Sequence, residues 1–181
     1  MKRWLIFSAL AAAAWFAMHR DAAVAMPLPD GSLAYPGYRF DALDGYEMEA
    51  RVLSRHDYRD DREAALASTD LALGWGPMDD ETVLARIQIS QNHRWYFWHA
   101  DSLPIPAAQI TQHSANVHII PASAQVASAL AQVRSNDRVR LAGKLVEVHA
   151  DDGWRWRSSL SRTDTGNGSC EVLWLERLDV L

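Results

Sequence analysis

Residues 138–149 read RVRLAGKLVEVH, and this stretch does more than any other to indicate the fold. Its valine and leucine residues favour a strand, while Gly143 in the middle indicates a β-bulge or a sharp bend. Residues 151–153 (DDG) predict a hairpin turn directly afterwards, because Asp-Gly accepts the positive φ angles of primed turns. A strand that bends at a glycine is typical of small barrels, which turn a corner at such positions.

Segments on both sides of this stretch also have strand character. In 46–54, Tyr46, Met48, Ala50 and Val52 alternate with polar residues, which predicts a half-buried strand. Further strands are predicted over 86–90 and 94–98, joined as a hairpin through 91–93, and over 116–120, 154–160 and 171–177.

The clearest helix follows Ser123, which can cap its first turn. Its apolar residues have helical spacing: Val126, Ala129, Leu130 and Val133. Two short helical turns are also expected, one over 70–73 after a cap at Ser68 or Thr69, and one after a cap at Asp79 or Asp80.

This order of elements predicts a mostly β (α+β) fold. We expect a small curved sheet or a barrel of the oligonucleotide/oligosaccharide-binding (OB) kind, with one main helix plugging one end. The predicted single OB-like domain covers 46–181. Residues 26–45 contain several prolines and glycines near their start and are predicted to form a linker.

Composition excludes several classes of protein. The chain has 181 residues, of which 49% are hydrophobic and 23% charged, so it is not a disordered tail. Its 18 Lys and Arg against 23 Asp and Glu give a net charge of −5, which disfavours general nucleic-acid binding. A single cysteine, Cys170, excludes an intramolecular disulfide framework and a multi-cysteine zinc site.

The N-terminus has the pattern of an export signal. Lys2 and Arg3 precede an apolar run over 4–18, and residues 23–25 (AVA) form a small-residue cleavage site. Residues 1–25 are therefore predicted to be a signal peptide cleaved after Ala25, or an anchor that holds the chain in the inner membrane through 4–18. In both cases the folded domain is expected in the periplasm, either free or anchored and facing it.

Four stretches together resemble a family of uncharacterised bacterial envelope proteins that begin with a similar signal or anchor segment. These stretches are 71–78 (LALGWGPM), 89–98 (ISQNHRWYFW), 114–121 (SANVHIIP) and 153–160 (GWRWRSSL), the last continuing to 163–166 (TDTG). The resemblance covers most of the chain after about residue 46 and implies export and a single domain. It implies no reaction, no cofactor and no catalytic residue.

The most distinctive local pattern is a strand of alternating tryptophan and arginine. Trp154 and Trp156 share one face of this strand, and Arg155 and Arg157 share the other. The indoles could fill the core beneath arginines at its rim, or the two residue types could form a surface for an anionic or sugar ligand. Arg94 is likewise next to aromatic residues, those of the run 95–98. The candidate ligand-binding residues are therefore Trp154, Arg155, Trp156, Arg157, Arg94 and Trp98.

A second group of residues raises the alternative of a hydrolase. Four histidines and one aspartate lie close together in the sequence: His93, His99, Asp101, His113 and His118. No helical His pair or H-E-x-x-H motif accompanies them, so hydrogen-bonded structural histidines are the simpler interpretation. Cys170 could be a nucleophile only if His118 or His113 lies beside it.

One further motif has a simple structural explanation. Residues 164–166 (DTG) match the core of an aspartic protease, but their polar neighbours favour a turn.

Three functional hypotheses follow from these patterns. The chain is a non-catalytic envelope domain that binds a ligand or a partner protein, the ligand being a glycan or an anionic group; or it is the hydrolase described above. Alternatively it is a structural subunit of a membrane-bound complex. No motif in the sequence calls for a cofactor or a metal.

The predicted export can be tested with a reporter that is active only in the cytoplasm and is fused after Leu181. We expect no reporter activity, because the leader directs the domain across the inner membrane. A fusion that lacks residues 1–25 is the positive control, and strong activity of the full-length fusion would contradict export. Mass spectrometry of the mature N-terminus then separates cleavage after Ala25 from a retained anchor.

Overall fold

Strands dominate the computed structural model, which describes residues 26–27, 33–161, 166 and 168–181. They are β1 Met26–Pro27, β2 Leu33–Tyr35, β3 Tyr38–Asp57, β4 Thr69–Gly74, β5 Gln88–Asn92, β6 Trp95–His99, β7 Ser114–Pro121, β8 Arg138–Ala150, β9 Arg155–Arg157 and β10 Glu171–Val180. The α-helices are α1 Glu81–Leu84, α2 Ala107–Gln112 and α3 Ala124–Leu130, and Glu63–Ala65 and Gly76–Asp79 are 3-10 turns. The fold is mostly β, as the sequence predicts.

Five of the strands close into a ring. β3 pairs with β4, β4 with β7, β7 with β10 and β10 with β8, and β8 pairs back with β3. The β7–β10 pair is parallel, and the other four pairs are antiparallel. α3 lies in the chain between the third and fourth strands of the ring, β7 and β8. This topology confirms the predicted curved sheet of the OB kind.

Gly143 lies where β8 and β10 approach most closely. A Cβ atom at this position would be 2.0 Å from the carbonyl oxygen of Trp174, which is too close for any side chain. β10 has a register shift between Leu175 and Arg177, opposite Gly143 and Ala142. The irregularity that Gly143 predicts is therefore present, but the extra residue belongs to the partner strand.

α3 begins where the sequence predicts. The Ser123 Oγ accepts a hydrogen bond from the Val126 backbone N–H at 3.2 Å. Val126 and Leu130 pack into the apolar core inside the barrel, where Leu130 is 4% exposed. Asp80 also acts as a cap, because its side chain accepts from the backbone N–H of Thr82 at the start of α1.

The helical stretch predicted over 70–73 is wrong, because these residues belong to β4. All six residues of β4 are buried, and the strand is paired with β3 on one side and β7 on the other. A strand buried on both faces lacks the alternation by which strands are recognised, so a short apolar run of this kind reads equally as helix. The strand predicted over 154–160 is also shorter than expected and comprises Arg155–Arg157 alone.

The structure also corrects the boundary of the predicted linker over 26–45. Residues 38–45 form the first part of β3 and pair with β8. Phe40 is fully buried, with its ring 5.1 Å from that of Trp174. The predicted signal or anchor, 1–25, lies outside the described residues.

Among the described residues, no helix combines the length and the apolar character that crossing a bilayer requires.

Apolar clusters lie on both faces of the barrel wall. One fills the barrel and includes Leu71, Val117 and Leu173. The other covers the outside of the wall, where Phe40 and Trp174 are buried. Alternate residues of one strand, such as Leu173 and Trp174, pack into different clusters, so both faces of the barrel wall are covered by apolar contacts.

Replacement of Gly143 by alanine tests the close approach of β8 and β10. We expect Gly143→Ala to lower the free energy of unfolding by more than about 3 kcal/mol, because the new methyl group meets backbone that cannot move aside. Gly45→Ala is the matched control, since a Cβ there meets nothing within 4 Å, and we expect a change within about 1 kcal/mol. Urea unfolding of both variants measures the difference, and equal stabilities would contradict this account.

Candidate functional site

The β5–β6 hairpin lies across the outer face of β4 and β7. Polar contacts join it to these strands, among them Gln91 Nε2 to Asn116 Oδ1 at 2.7 Å, Arg94 Nη1 to Asp70 Oδ1 at 2.8 Å, and Tyr96 OH to Ser114 Oγ at 2.7 Å. β4 and β7 are the second and third strands of the ring, whose outer face is the ligand face in barrels of the OB kind. In this protein the chain's own hairpin occupies that face.

Asp70 is the centre of the polar contacts beneath the hairpin. Its side chain is fully buried, and it accepts hydrogen bonds from Arg94 and, at 3.2 Å, from the Asn116 amide. The Nδ1 atom of His118 lies 2.9 Å from Asp70 Oδ2, an ion-pair distance without the alignment of a hydrogen bond. The carboxylate therefore holds together one residue from the hairpin and two from β7.

The guanidinium of Arg94 is held by contacts within the fold. Its guanidinium donates to Asp61 at 2.6 Å and to the Ala67 carbonyl oxygen at 2.8 Å, and it stacks 3.9 Å from the centre of the Tyr58 ring. Burial opposes the charge of Arg94, but the ion pairs with Asp61 and Asp70 raise its pKa above the usual value. Arg94, a predicted ligand-binding residue, thus uses its charge inside the structure.

The turn of the hairpin is conformationally unusual. His93 and Arg94 both have left-handed backbone angles, with φ of 49° and 68°. Residues other than glycine adopt this region at some cost, so the surrounding contacts must hold it in place. The backbone N–H of Arg94 donates to Tyr58 OH at 3.0 Å, and its carbonyl oxygen accepts from Asn116 at 3.0 Å.

A cavity of about 260 Å³ opens between the hairpin, the start of β7 and the start of β10. Three aromatic residues of β6 line it: Trp95, Tyr96 and Trp98. Its polar lining includes Thr111, Ser114, Asn116, Ser169, Cys170 and Glu171. Burial raises the pKa of the Tyr96 hydroxyl, and nearby Cys170 and Glu171 add to the rise while the bond to Ser114 opposes it. An apolar cleft with a few converging polar groups is the usual form of a small-molecule site.

The predicted tryptophan–arginine strand has the predicted alternation. Trp154 and Trp156 are half-buried against the outer apolar cluster, and the Trp156 ring lies 4.9 Å from that of His118. Arg155 and Arg157 are exposed on the other face, where both reach Glu147, at 3.9 and 2.5 Å. Trp154 is also covered by the guanidinium of Arg62 at 4.6 Å. Of the six predicted ligand-binding residues, only Trp98 lines the cavity.

The histidines of the hydrolase hypothesis lie in different surroundings. His93 is exposed in the hairpin turn, and His99 is exposed with Asp101 at 3.4 Å. His113 ends α2 and packs against the ring of Trp75, whereas His118 is buried beside Asp70. Among the described residues, no three His, Cys, Asp or Glu side chains are placed to hold a metal ion.

Two further candidates from the sequence are Cys170 as a nucleophile and the DTG motif of residues 164–166. The Cys170 Sγ faces the Arg94 carbonyl oxygen at 3.9 Å, in the cavity wall. Asp164 and Thr165 of the DTG motif lie outside the described residues.

Most cavity residues are absent from the sequence-based selection. The aromatic run 95–98 is the one local signal, and it led to Trp98 but not to Tyr96. Asn116 and Glu171 carry no motif, and they reach the cavity only because β7 and β10 are neighbours in the ring. Their role depends on topology, which a single segment of sequence does not encode.

Asp61→Asn tests the ionic attachment of the hairpin. The hydrogen bonds from Arg94 lower the pKa of Asp61, although burial opposes this. The charged carboxylate therefore stabilises the folded state at neutral pH, and this stabilisation is lost as the pH falls through the lowered pKa. We expect Asp61→Asn to lower the free energy of unfolding by about 1–2 kcal/mol at pH 7. This difference from the wild type should shrink towards zero at pH values below the usual carboxyl range. Denaturant unfolding at several pH values measures it, with the exposed neighbour Asp60→Asn as a control within about 0.5 kcal/mol. A loss independent of pH would contradict the ionic explanation.

No protein-family model, curated protein or solved structure matches this chain. A fold of the OB kind is compatible with many activities. The function must therefore be inferred from the chemistry of the chain's own residues.

Proposed function

We propose that this protein is an exported, non-catalytic domain of the bacterial envelope that binds a small ligand in the cavity beside the β5–β6 hairpin. The observation that carries the proposal is the cavity itself, which is lined by three aromatic residues of β6 together with polar residues of β7 and β10. The basic, apolar and small-residue segments of 1–25 support export.

The attachment of the hairpin supports a preformed site. Tyr96 of β6 is hydrogen-bonded to Ser114 and Gln91 of β5 to Asn116, so both strands of the hairpin are fixed to β7. A site whose walls are held by such contacts binds without first paying the entropy of ordering them.

A hydrolase has less support than a binding domain. Its candidate histidines are dispersed over the hairpin turn, the end of β6, the end of α2 and the interior of β7. General acid–base chemistry requires the acid or base to lie within hydrogen-bond reach of the proton that it transfers, so dispersed histidines do not cooperate at one substrate. The exposed pair of His99 and Asp101 is not part of the lining of the proposed site and lines a separate cavity of about 260 Å³ beside Arg86.

A pair of neighbouring substitutions on α2 tests whether the cavity binds ligands. Thr111 lines the cavity and Gln112 is exposed beside it, so Thr111→Phe should fill the site while Gln112→Phe leaves it open. Saturation-transfer NMR would be recorded with neutral monosaccharides, amino acids, choline and short alcohols. We expect at least one of these classes to contact the wild type and Gln112→Phe, with the signal reduced at least about tenfold in Thr111→Phe.

Two results would overturn the proposal. One is that no compound class contacts the wild-type protein, and the other is that Thr111→Phe binds as the wild type does. The bound compound should be recovered unchanged after incubation, whereas its hydrolysis would favour the hydrolase instead. Melting temperatures of both variants show whether each is folded.

A further inference from the structure

We propose that the ligand of this cavity is a single neutral pyranose ring, either free or at the end of a glycan chain. This inference rests on the proposed function, since it names the class of compound that the same cavity binds. It follows from the aromatic lining, the size and the charge of the cavity.

The aromatic lining suits the apolar face of a sugar ring. Trp95, Tyr96 and Trp98 line the cavity from one strand, and Tyr96 and Trp98 are two residues apart and so share a face of β6. A pyranose has C–H groups on its faces and hydroxyl groups around its edge, so it packs flat against an aromatic ring while its edge remains polar.

The polar lining suits the hydroxyl groups at the edge of such a ring. Glu171 is 3% exposed and belongs to the lining of the cavity, and a carboxylate oxygen has two lone pairs, so one of them can accept from a ligand hydroxyl in addition to contacts within the fold. The Thr111 hydroxyl donates to the Ala107 carbonyl oxygen within α2, which leaves its own oxygen able to accept. Hydrogen bonds to a charged acceptor are stronger than neutral ones, so Glu171 is the expected orienting group.

The volume of the cavity limits the ligand to about one ring. Its 260 Å³ is below the roughly 300–1,000 Å³ of sites that enclose drug-sized compounds. A longer glycan would therefore place only its terminal unit in the cavity.

The charge of the cavity disfavours an anion. Among the described residues of the lining, Glu171 carries the one carboxylate. A negatively charged ligand would meet this carboxylate across a partly desolvated space, which is unfavourable. Of the two ligand types that the sequence suggests, anion and sugar, the cavity favours the sugar.

Protection of Cys170 from alkylation measures occupancy directly, because this single cysteine lies in the cavity wall. The full chain would be treated with iodoacetamide in the presence of glucose, galactose or N-acetylglucosamine. Glucuronate, choline and cyclohexanol are the matched probes for a negative charge, a positive charge and a ring without the hydroxyl pattern. We expect at least one neutral sugar to slow alkylation at least about fivefold at saturation, and glucuronate to bind at least about tenfold more weakly than glucose.

Variants test the role of the lining. Glu171→Gln keeps the shape of the side chain but cannot carry its negative charge, and we expect it to weaken binding of the protecting sugar at least about tenfold. Phe97→Leu is the control, because Phe97 is 53% exposed and lies outside the lining. The β-linked disaccharide of the protecting sugar separates the two sources: tighter binding than the monosaccharide indicates a glycan end, and equal or weaker binding indicates a free sugar.

Each remaining outcome is decisive. Protection by choline or cyclohexanol without protection by any neutral sugar would overturn the sugar proposal and leave the cavity as a binding site. Protection by glucuronate equal to that by glucose would overturn the charge argument and the proposal with it. Protection by none of the six compounds, together with no NMR contact from any compound class, would overturn both this inference and the proposed function.

Discussion

The fully buried carboxylate of Asp70 imposes the constraint on which the rest of the structure depends. An isolated charge taken out of water costs several kcal/mol, so a carboxylate on the outer face of β4 needs a partner brought to it. Arg94 supplies the positive charge, and it can reach Asp70 only if the β5–β6 hairpin lies across β4 and β7. That position of the hairpin creates the cavity, because the aromatic side chains of β6 then face the start of β7.

The same contact separates this barrel from others of its architecture. Barrels of the OB kind use the outer face of their second and third strands for extended ligands. Here that face carries a buried ion pair and amide contacts to the hairpin, so an extended ligand would have to displace Arg94 from two carboxylates. The accessible space lies instead beside the hairpin, where a cavity of about 260 Å³ opens to the surface. On our proposal, this barrel binds a small ligand rather than an extended one because the β5–β6 hairpin covers the outer face of β4 and β7.

Local signals predicted those parts of the fold whose cause is local. Ser123 caps its own helix, and Gly143 is required by the close approach of one neighbouring strand, so both are visible in a few residues of sequence. Residues 70–73 read as helix in sequence although they form a strand, because the strands that pair with them, β3 and β7, are distant in the chain. Phe40 reads as part of a linker for the same reason, since its contact comes from the distant Trp174. The cavity combines residues from 95–98, 111–116 and 169–171, so no single stretch of sequence indicates it.

The polar contacts of the β5–β6 hairpin fix its register more strictly than apolar contacts would. Buried ion pairs are often replaceable by apolar contacts without loss of stability, but their geometry tolerates little displacement. In β6 the side chains alternate, and Tyr96 and Trp98 stand opposite Gln91 and Ile89 in the register of the hairpin. A shift of β6 by one residue would turn both rings away from the cavity and bring Phe97 towards it. Arg94 between Asp61 and Asp70, with Gln91 on Asn116, permits one register only. The buried charge therefore serves the cavity by fixing which aromatic side chains line it.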